Sequence, residues 1–249
     1  MIGKRQKLPK VTDLFKTMPN KRVKPSEENK AEEFQAKSIR IVPHQEGQWA
    51  TFVYIKPPSE FCSKLIKTQQ TILLPLLSEN FPELSYDFSE ADSLHISLSR
   101  TLYLKHYQLE SFKANLQKQI SNIERMAEII TKKLVFLVNQ EKTKIFIGLE
   151  ATTESTYLLE LSNACDRAIS DELKGLPEPE LAKILFFKEP TFHFTLVSVN
   201  FVDPEEKEQI TQLCDRLKKS LASVKIKERS FQLSDEKVRL KMGDQIYQL

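Results

Sequence analysis

The sequence predicts an α+β fold of two pseudo-symmetric lobes, each an antiparallel sheet with outer helices, facing one another across a central cleft. Two observations lead there. Leu94-His95-Ile96-Ser97-Leu98 and Phe192-His193-Phe194-Thr195-Leu196 both read apolar, His, apolar, hydroxyl, Leu. Each also sits in the same order of elements: strand, helix, His-bearing strand, helix. The intervals are similar as well, from Phe52 to His95 and from Ile145 to His193. The architecture is duplicated although the residues are not.

Side chains on a strand alternate faces, so His95 and Ser97 share one face and Leu94, Ile96 and Leu98 the other. His193 and Thr195 repeat this against Phe192, Phe194 and Leu196. Each copy therefore sets an imidazole and a hydroxyl roughly 7 Å apart along one strand, backed by an apolar face suited to helices.

The remaining elements follow in chain order. Residues 1–45 hold no sustained apolar period and are broken by Pro9, Pro19, Pro25 and Pro43, which predicts a disordered arm ahead of one domain over 46–249. Trp49 to Ile55 reads as a strand ended by Pro57-Pro58. Ser59 suits the cap of a helix buried along Phe61, Leu65, Ile72, Leu73, Leu76 and Leu77, which Pro75 kinks or ends. After the first His strand, Leu109, Phe112, Leu116, Ile120, Ile123 and Ile130 mark a long amphipathic helix. Strands are expected at Leu134 to Val138 and Thr143 to Leu149, then a helix from Thr153 to Leu173. Gly175, Pro177 and Pro179 predict a loop. The second His strand runs to about Val202, and Asp203-Pro204 opens a further helix. Three short strands close the sequence, the last two turning at Gly243-Asp244.

Composition narrows the function classes. There is no apolar run of 18 residues and no signal-peptide pattern, so neither a membrane span nor that secretory route is expected. Cys62, Cys165 and Cys214 are scattered, with no Cys-x-x-Cys pair, which fits a reducing compartment and offers no zinc site or disulfide framework. The net charge of +3 is uneven: residues 1–40 carry eleven Lys/Arg against five Asp/Glu. Lys21-Arg22-Val23-Lys24-Pro25 in that arm suits nuclear import, phosphate tethering or simple solubilisation.

Two imidazoles across a cleft suit a reaction that removes a proton at one end and gives one at the other, since histidine works as base or acid near neutral pH. With RNA, one His takes the proton of a ribose 2′-OH that attacks the adjacent phosphorus, and the other protonates the leaving 5′ oxygen. The substrate supplies its own nucleophile, so no metal or other cofactor is called for. Ser97 and Thr195 would donate to the non-bridging phosphate oxygens. Spacing alone does not decide which His is the base.

This pair of His-x-hydroxyl triplets resembles the signature of the two-histidine (2H) phosphoesterase superfamily. Within it, the chain is similar to the U6 small nuclear RNA phosphodiesterases. The residues that carry this are Leu94 to Ser99, Asn139-Gln140-Glu141-Lys142-Thr143 with Phe146 to Glu150, Phe187-Lys188-Glu189-Pro190-Thr191 running into Phe192 to Thr195, and Val238 to Asp244. The resemblance covers about residues 46–249 and implies 3′–5′ removal of terminal nucleotides from the oligouridine tail of U6 snRNA, leaving a 2′,3′-cyclic phosphate, a ring that some fungal relatives open to a phosphate. It further implies an RNA partner and a nuclear setting; a monomer without membrane contact is expected alongside. His95 is then the proton acceptor and His193 the donor. Ser97 and Thr195 contact phosphate, Gln140 reads the terminal base and Phe187 stacks on it. Ile96 and the stretch Thr191, Phe192, Phe194 line the nucleotide pocket. Thr195 stands where many relatives have Ser, and Phe187 where the family often has Tyr.

Taken singly, these residues have plainer readings. One buried His is as readily structural as catalytic, and Gln140 alone is a loop-end amide. Phe187 beside Phe186 is by default core, and Glu141, Lys142 and Glu150 suit an edge ion pair. His44 and His106 lack the apolar frame and read as surface residues.

Overall fold

The structure is a computed structural model. It describes residues 47–249 apart from 83, 124–126, 140–141, 187–189, 201–206 and 234–237, with only the backbone at 207–210. The chain divides into two units, Met1–Ile41 and Val42–Leu249, and the described residues all lie in the second. His44 and the Asp203-Pro204 helix start fall outside them.

Strand β1 (Gln48–Ile55) is followed by helix α1 (Ser59–Thr68), a π-helical turn (Gln69–Leu73) and helix α2 (Leu74–Asn80). Ser59 is the first helical residue rather than the cap. Pro58 holds the cap position and offers no side-chain hydrogen bond. Pro75 does not end the helix. It has no N–H to give, and the wider turn just before it, where Leu74 N–H reaches Gln69 O, lets the chain continue. Short strands β2 (Tyr86–Phe88), β3 (Ile96–Ser97) and β4 (Leu102–Lys105) lead into helix α3 (His106–Ile120).

The expected long helix over 109–130 stops at Ile120. Strand β5 (Ala127–Val138) already includes Ile129, Ile130 and Thr131. This β-branched run suits a pleated surface better than a helix, and that preference overrides the helical spacing. Strand β6 (Lys144–Thr152) and helix α4 (Tyr157–Glu172) follow. The loop expected around Pro177 and Pro179 contains helix α5 (Glu178–Ile184), because a proline in the first turn forfeits no hydrogen bond. Strand β7 (His193–Asn200), helix α6 (Lys207–Leu221) and strands β8 (Arg229–Leu233), β9 (Val238–Met242) and β10 (Gln245–Gln248) complete the chain. Gly243 makes the β9–β10 turn with φ +59°, and a Cβ there would lie 2.7 Å from the Trp49 ring.

The ten strands among the described residues join one antiparallel sheet, ordered β10-β9-β1-β3-β7-β6-β5-β8, with β4 also on β1 and β2 also on β7. The two expected halves are therefore wings of a single sheet, joined where Ile96 pairs with Phe194. Each wing borrows strands from the other end of the chain: β9 joins β1, and β2 joins β7. One face is apolar and packs with the helices in one core. That core includes Val53, Ile55, Ile96, Ile147, Phe194 and Leu240 from strands, and Phe61, Phe112, Leu161 and Leu217 from helices. Phe61 contacts the rings of Phe194 and Phe231, at 5.6 and 4.6 Å.

Ser99 fastens the seam. Its hydroxyl accepts the buried Val53 N–H at 2.9 Å and donates to Arg100 O, while Leu98 N–H bonds to Val53 O. It is a structural support, buried beneath the surface on which its strand-mates lie. Ser99→Ala strands a buried N–H without an acceptor, so urea unfolding should register a loss of about 1–3 kcal/mol.

Candidate functional site

The alternation read from the sequence is realised at both triplets. Leu94, Ile96, Leu98, Phe192, Phe194 and Leu196 are buried, while His95, Ser97, His193 and Thr195 remain partly open. The antiparallel pairing of Ile96 with Phe194 fixes the rest. In that register His95 lies across from Thr195 and Ser97 across from His193, all four on the face away from the helices. Cross-strand neighbours stand about 5 Å apart, and the two histidines lie on the diagonal, about 7–8 Å apart. Residues 98 positions apart in sequence thus interlock as one four-residue cluster.

Each ring is oriented in the same way. His95 Nδ1 lies 2.6 Å from Ser93 O, and His193 Nδ1 lies 2.8 Å from Thr191 O. A carbonyl only accepts, so Nδ1 carries the proton in both rings and Nε2 is the nitrogen left for chemistry. The repeat therefore extends two residues further than the triplets. Ser93 and Thr191 are both hydroxyl residues at the same offset, a signal present in the sequence, although it is their backbone carbonyls that act.

Burial of the imidazole disfavours its charged form and holds both pKa values below the usual 6.5. In each ring the carbonyl bond pulls the other way. His95 is lowered further by the positive charges of Lys56, His193 and Lys241. Tyr54 packs edge-on against His95 at 5.4 Å, with Phe52 at 6.1 Å.

Several residues that the sequence did not single out build this geometry. Gly148 pairs with Thr195, next to a bulge that shifts the β6–β7 register. A Cβ on it would come within 2.5 Å of Phe194 O and 3.3 Å of His193 Cδ2, so only glycine lets β6 lie this close beneath the ring. Ser89 ties down the bulge: its hydroxyl donates to Thr195 O at 2.8 Å and its N–H to Leu196 O at 2.9 Å. Asn139 organises the β5–β6 turn. Its Oδ1 accepts the N–H groups of Thr143 and Lys144, both at 2.8 Å, and Lys142 takes a left-handed φ of 56°. Phe186 N–H donates to Asp166 Oδ1, and Arg100 donates to Lys183 O, which anchors the approach to Thr191.

The other expected contact residues divide. Gln140 and Phe187 lie outside the described residues. Ile96 and Phe194 are fully buried among the helices, so their side chains face away from the cluster and do not line it. The strand period that aims His95 and His193 outward necessarily aims them inward. Phe192 packs on Phe186 at 6.1 Å and is also buried, while Thr191 is exposed beside His193. Glu150 lies opposite His193 and 3.9 Å from Lys133, the ion pair expected of it but with a different lysine. Among the described residues no His/Cys/Asp/Glu group could hold a metal ion, and no helix is long and apolar enough to cross a membrane.

The family model HVSL, described as an uncharacterised conserved protein, matches residues 9–249. The chain belongs to the HVSL family. Curated relatives of this HVSL chain include U6 snRNA phosphodiesterase 1 of Xenopus laevis, 30% identical over 165 residues, covering 64% of this chain and 56% of that protein. The Rattus norvegicus protein of the same name is 26% identical over 212 residues, covering 85% and 72%. The HVSL chain thus spans little more than half the length of the first of these relatives. Among solved structures, Kluyveromyces marxianus Usb1 matches with a TM-score of 0.57 at 12% identity, over 81% of this chain and 96% of that one. Escherichia coli LigT, complexed with 3′-AMP, matches with 0.50 at 12%, over 81% and 95%. The fold of this HVSL protein is accordingly the fold of Usb1 and LigT.

Two outcomes check the geometry. NMR titration should place both imidazole pKa values below 6.5, and either one above it would contradict the packing described. Gly148→Ala should cost about 1–3 kcal/mol in unfolding free energy and shift the His193 ring resonances, as overpacking against backbone does.

Proposed function

We propose that this chain is an RNA phosphodiesterase that trims the 3′ oligouridine end of U6 snRNA nucleotide by nucleotide. The observation that carries the reading is the interlocked cluster, in which each imidazole has a hydroxyl across from it and a free Nε2. The names of the curated relatives and the Usb1 complex with uridine monophosphate support RNA as substrate.

In this reading His95 Nε2 takes the proton from the 2′-OH of the penultimate nucleotide. The 2′ oxygen attacks phosphorus and the bond from phosphorus to the 5′ oxygen breaks. His193 gives its Nε2 proton to that leaving oxygen. The terminal nucleoside departs with a 5′-OH, and the shortened chain ends in a 2′,3′-cyclic phosphate. Ser97 and Thr195 donate to the non-bridging oxygens as negative charge builds there. Lys56 and Lys241 near His95 favour its neutral form, which fits it for the base and leaves the proton to His193. Gln140 reads the terminal base and Phe187 stacks on it. The protein acts as a monomer in the nucleus, with residues 1–45 as a separate basic arm, and no metal takes part because the nucleophile comes with the substrate.

The test is incubation with oligouridine bearing a free cis-diol, in EDTA. Stepwise shortening to cyclic-phosphate ends is expected, and replacing the penultimate nucleotide by its 2′-deoxy form should stop it. His95→Ala and His193→Ala should each lower turnover by about 10²–10⁴-fold. Ring opening of a cyclic end without shortening would instead make this a cyclic phosphodiesterase. Binding without turnover, equal in wild type and His193→Ala, would leave only an RNA-binding module.

The pH profile follows from the imidazoles. Turnover needs His95 neutral and His193 protonated, and both pKa values are depressed. The bell of kcat/KM should therefore centre below pH 6.5, its alkaline limb falling as His193 loses its proton. A bell centred above 7 would refute this assignment.

A further inference from the structure

The two wings of the sheet carry different chemistry on the open face. On the His193 side, Glu150 sits directly across from the ring, its charge offset by Lys133. On the His95 side the surface is cationic and aromatic. Ser97 pairs with Tyr54, Tyr54 with Arg239, and Phe52 with Lys241, and paired residues share a face. Arg239 and Lys241 therefore stand in one row beside Tyr54 and Phe52, with no carboxylate partner among the described residues. Both are partly open to solvent. Phe52 is partly open to solvent, its ring 5.4 Å from Tyr54 and 6.1 Å from His95. Beyond it, Ile246 pairs with Lys241 and is 53% exposed, which extends the apolar ledge to the sheet edge.

Single-stranded nucleic acid is held where cations track the backbone and flat apolar side chains meet bases. Strands β1, β9 and β10 present both, beginning at the imidazole that serves as base. The base takes its proton from the nucleotide on the 5′ side of the scissile phosphate, so the chain upstream must leave the site past His95. We propose that β1, β9 and β10 form an upstream RNA subsite. In it Phe52 supports the first base upstream of the scissile dinucleotide, and Arg239 and Lys241 hold the next phosphates of the single strand. The inference rests on the phosphodiesterase reading above and adds the path of the RNA body to it.

The subsite is beyond the reach of a dinucleotide, so its contribution is the ratio of kcat/KM for octauridine to that for UpU. Arg239→Gln combined with Lys241→Gln should lower that ratio about 25-fold at 0.1 M salt. Each lost single-strand phosphate contact takes about 0.7 from the slope of log affinity against log salt. The wild-type slope should be steeper for octauridine than for UpU by about 1.4 from these two contacts, a comparison that needs no variant and so does not depend on the substitutions folding. Phe52→Leu, which keeps the apolar volume, should lower the same ratio roughly tenfold through lost stacking. Lys133→Gln on the opposite wing should leave the ratio within twofold. A ratio unmoved in the double variant, with the wild-type slopes for the two substrates equal, overturns the subsite while leaving the phosphodiesterase intact. So does a fall confined to Lys133→Gln, which would send the RNA body over the other wing. Wild type that cleaves neither substrate overturns both.

Discussion

A single antiparallel residue pair, Ile96 opposite Phe194, joins the two wings of the sheet and sets every relation within the cluster. Side chains on strands alternate, so slipping this register by one residue would send one histidine into the helices and bring an Ile or Phe out. The pairing itself is short, with β3 contributing only two residues, and other contacts must hold it. Burial of Ile96 and Phe194 on the helix side fixes which residues face inward. Ser89 clamps the bulge of β7, and Ser99 closes the gap to β1. Hydrophobic burial supplies the force, while a few hydroxyl groups select the register.

The same division explains the symmetry of the two rings. A strand of two residues does not orient an imidazole; the carbonyl two positions earlier does. Ser93 and Thr191 make equivalent bonds, so both histidines present the same nitrogen. What separates them is their surroundings: Lys56 and Lys241 near one, and Gly148 with Glu150 across from the other. Backbone geometry makes the pair, and flanking charge distinguishes its members.

Much of this was legible in the sequence because it is periodic. The alternation at Leu94–Leu98 and Phe192–Leu196 gave both faces of the central strands, and the repeated order of elements gave the two wings. Local pattern failed where another preference competed with it. Ile123 and Ile130 sit at helical spacing, yet the β-branched run after Ala127 belongs to a strand. Pro75 suits either a kink or a stop, and the structure holds a widened turn just before it that lets the helix continue. The resemblance puts Ile96 and Phe194 among the substrate contacts, although the alternation alone places them in the core. Gly148 and Asn139 lie in the stretch from Asn139 to Glu150, and the sequence assigns neither a role. The reasons for them, a neighbouring backbone 2.5 Å from an absent Cβ and a turn closed by an amide, arise only once strands distant in sequence are side by side.

The pairing of β1 with β9 bears on how the molecule comes into being. Phe52 meets Lys241 and Val53 meets Leu240, contacts between residues nearly a whole domain apart in sequence. Such non-local pairing is slow, because the intervening loop must be closed before any contact rewards it. During synthesis β1 emerges early and waits, its open edge exposed, until β9 leaves the ribosome. A reading frame cut short before Val238 would therefore yield a chain with its first strand unpaired along that edge, a species suited to aggregation or capture by chaperones.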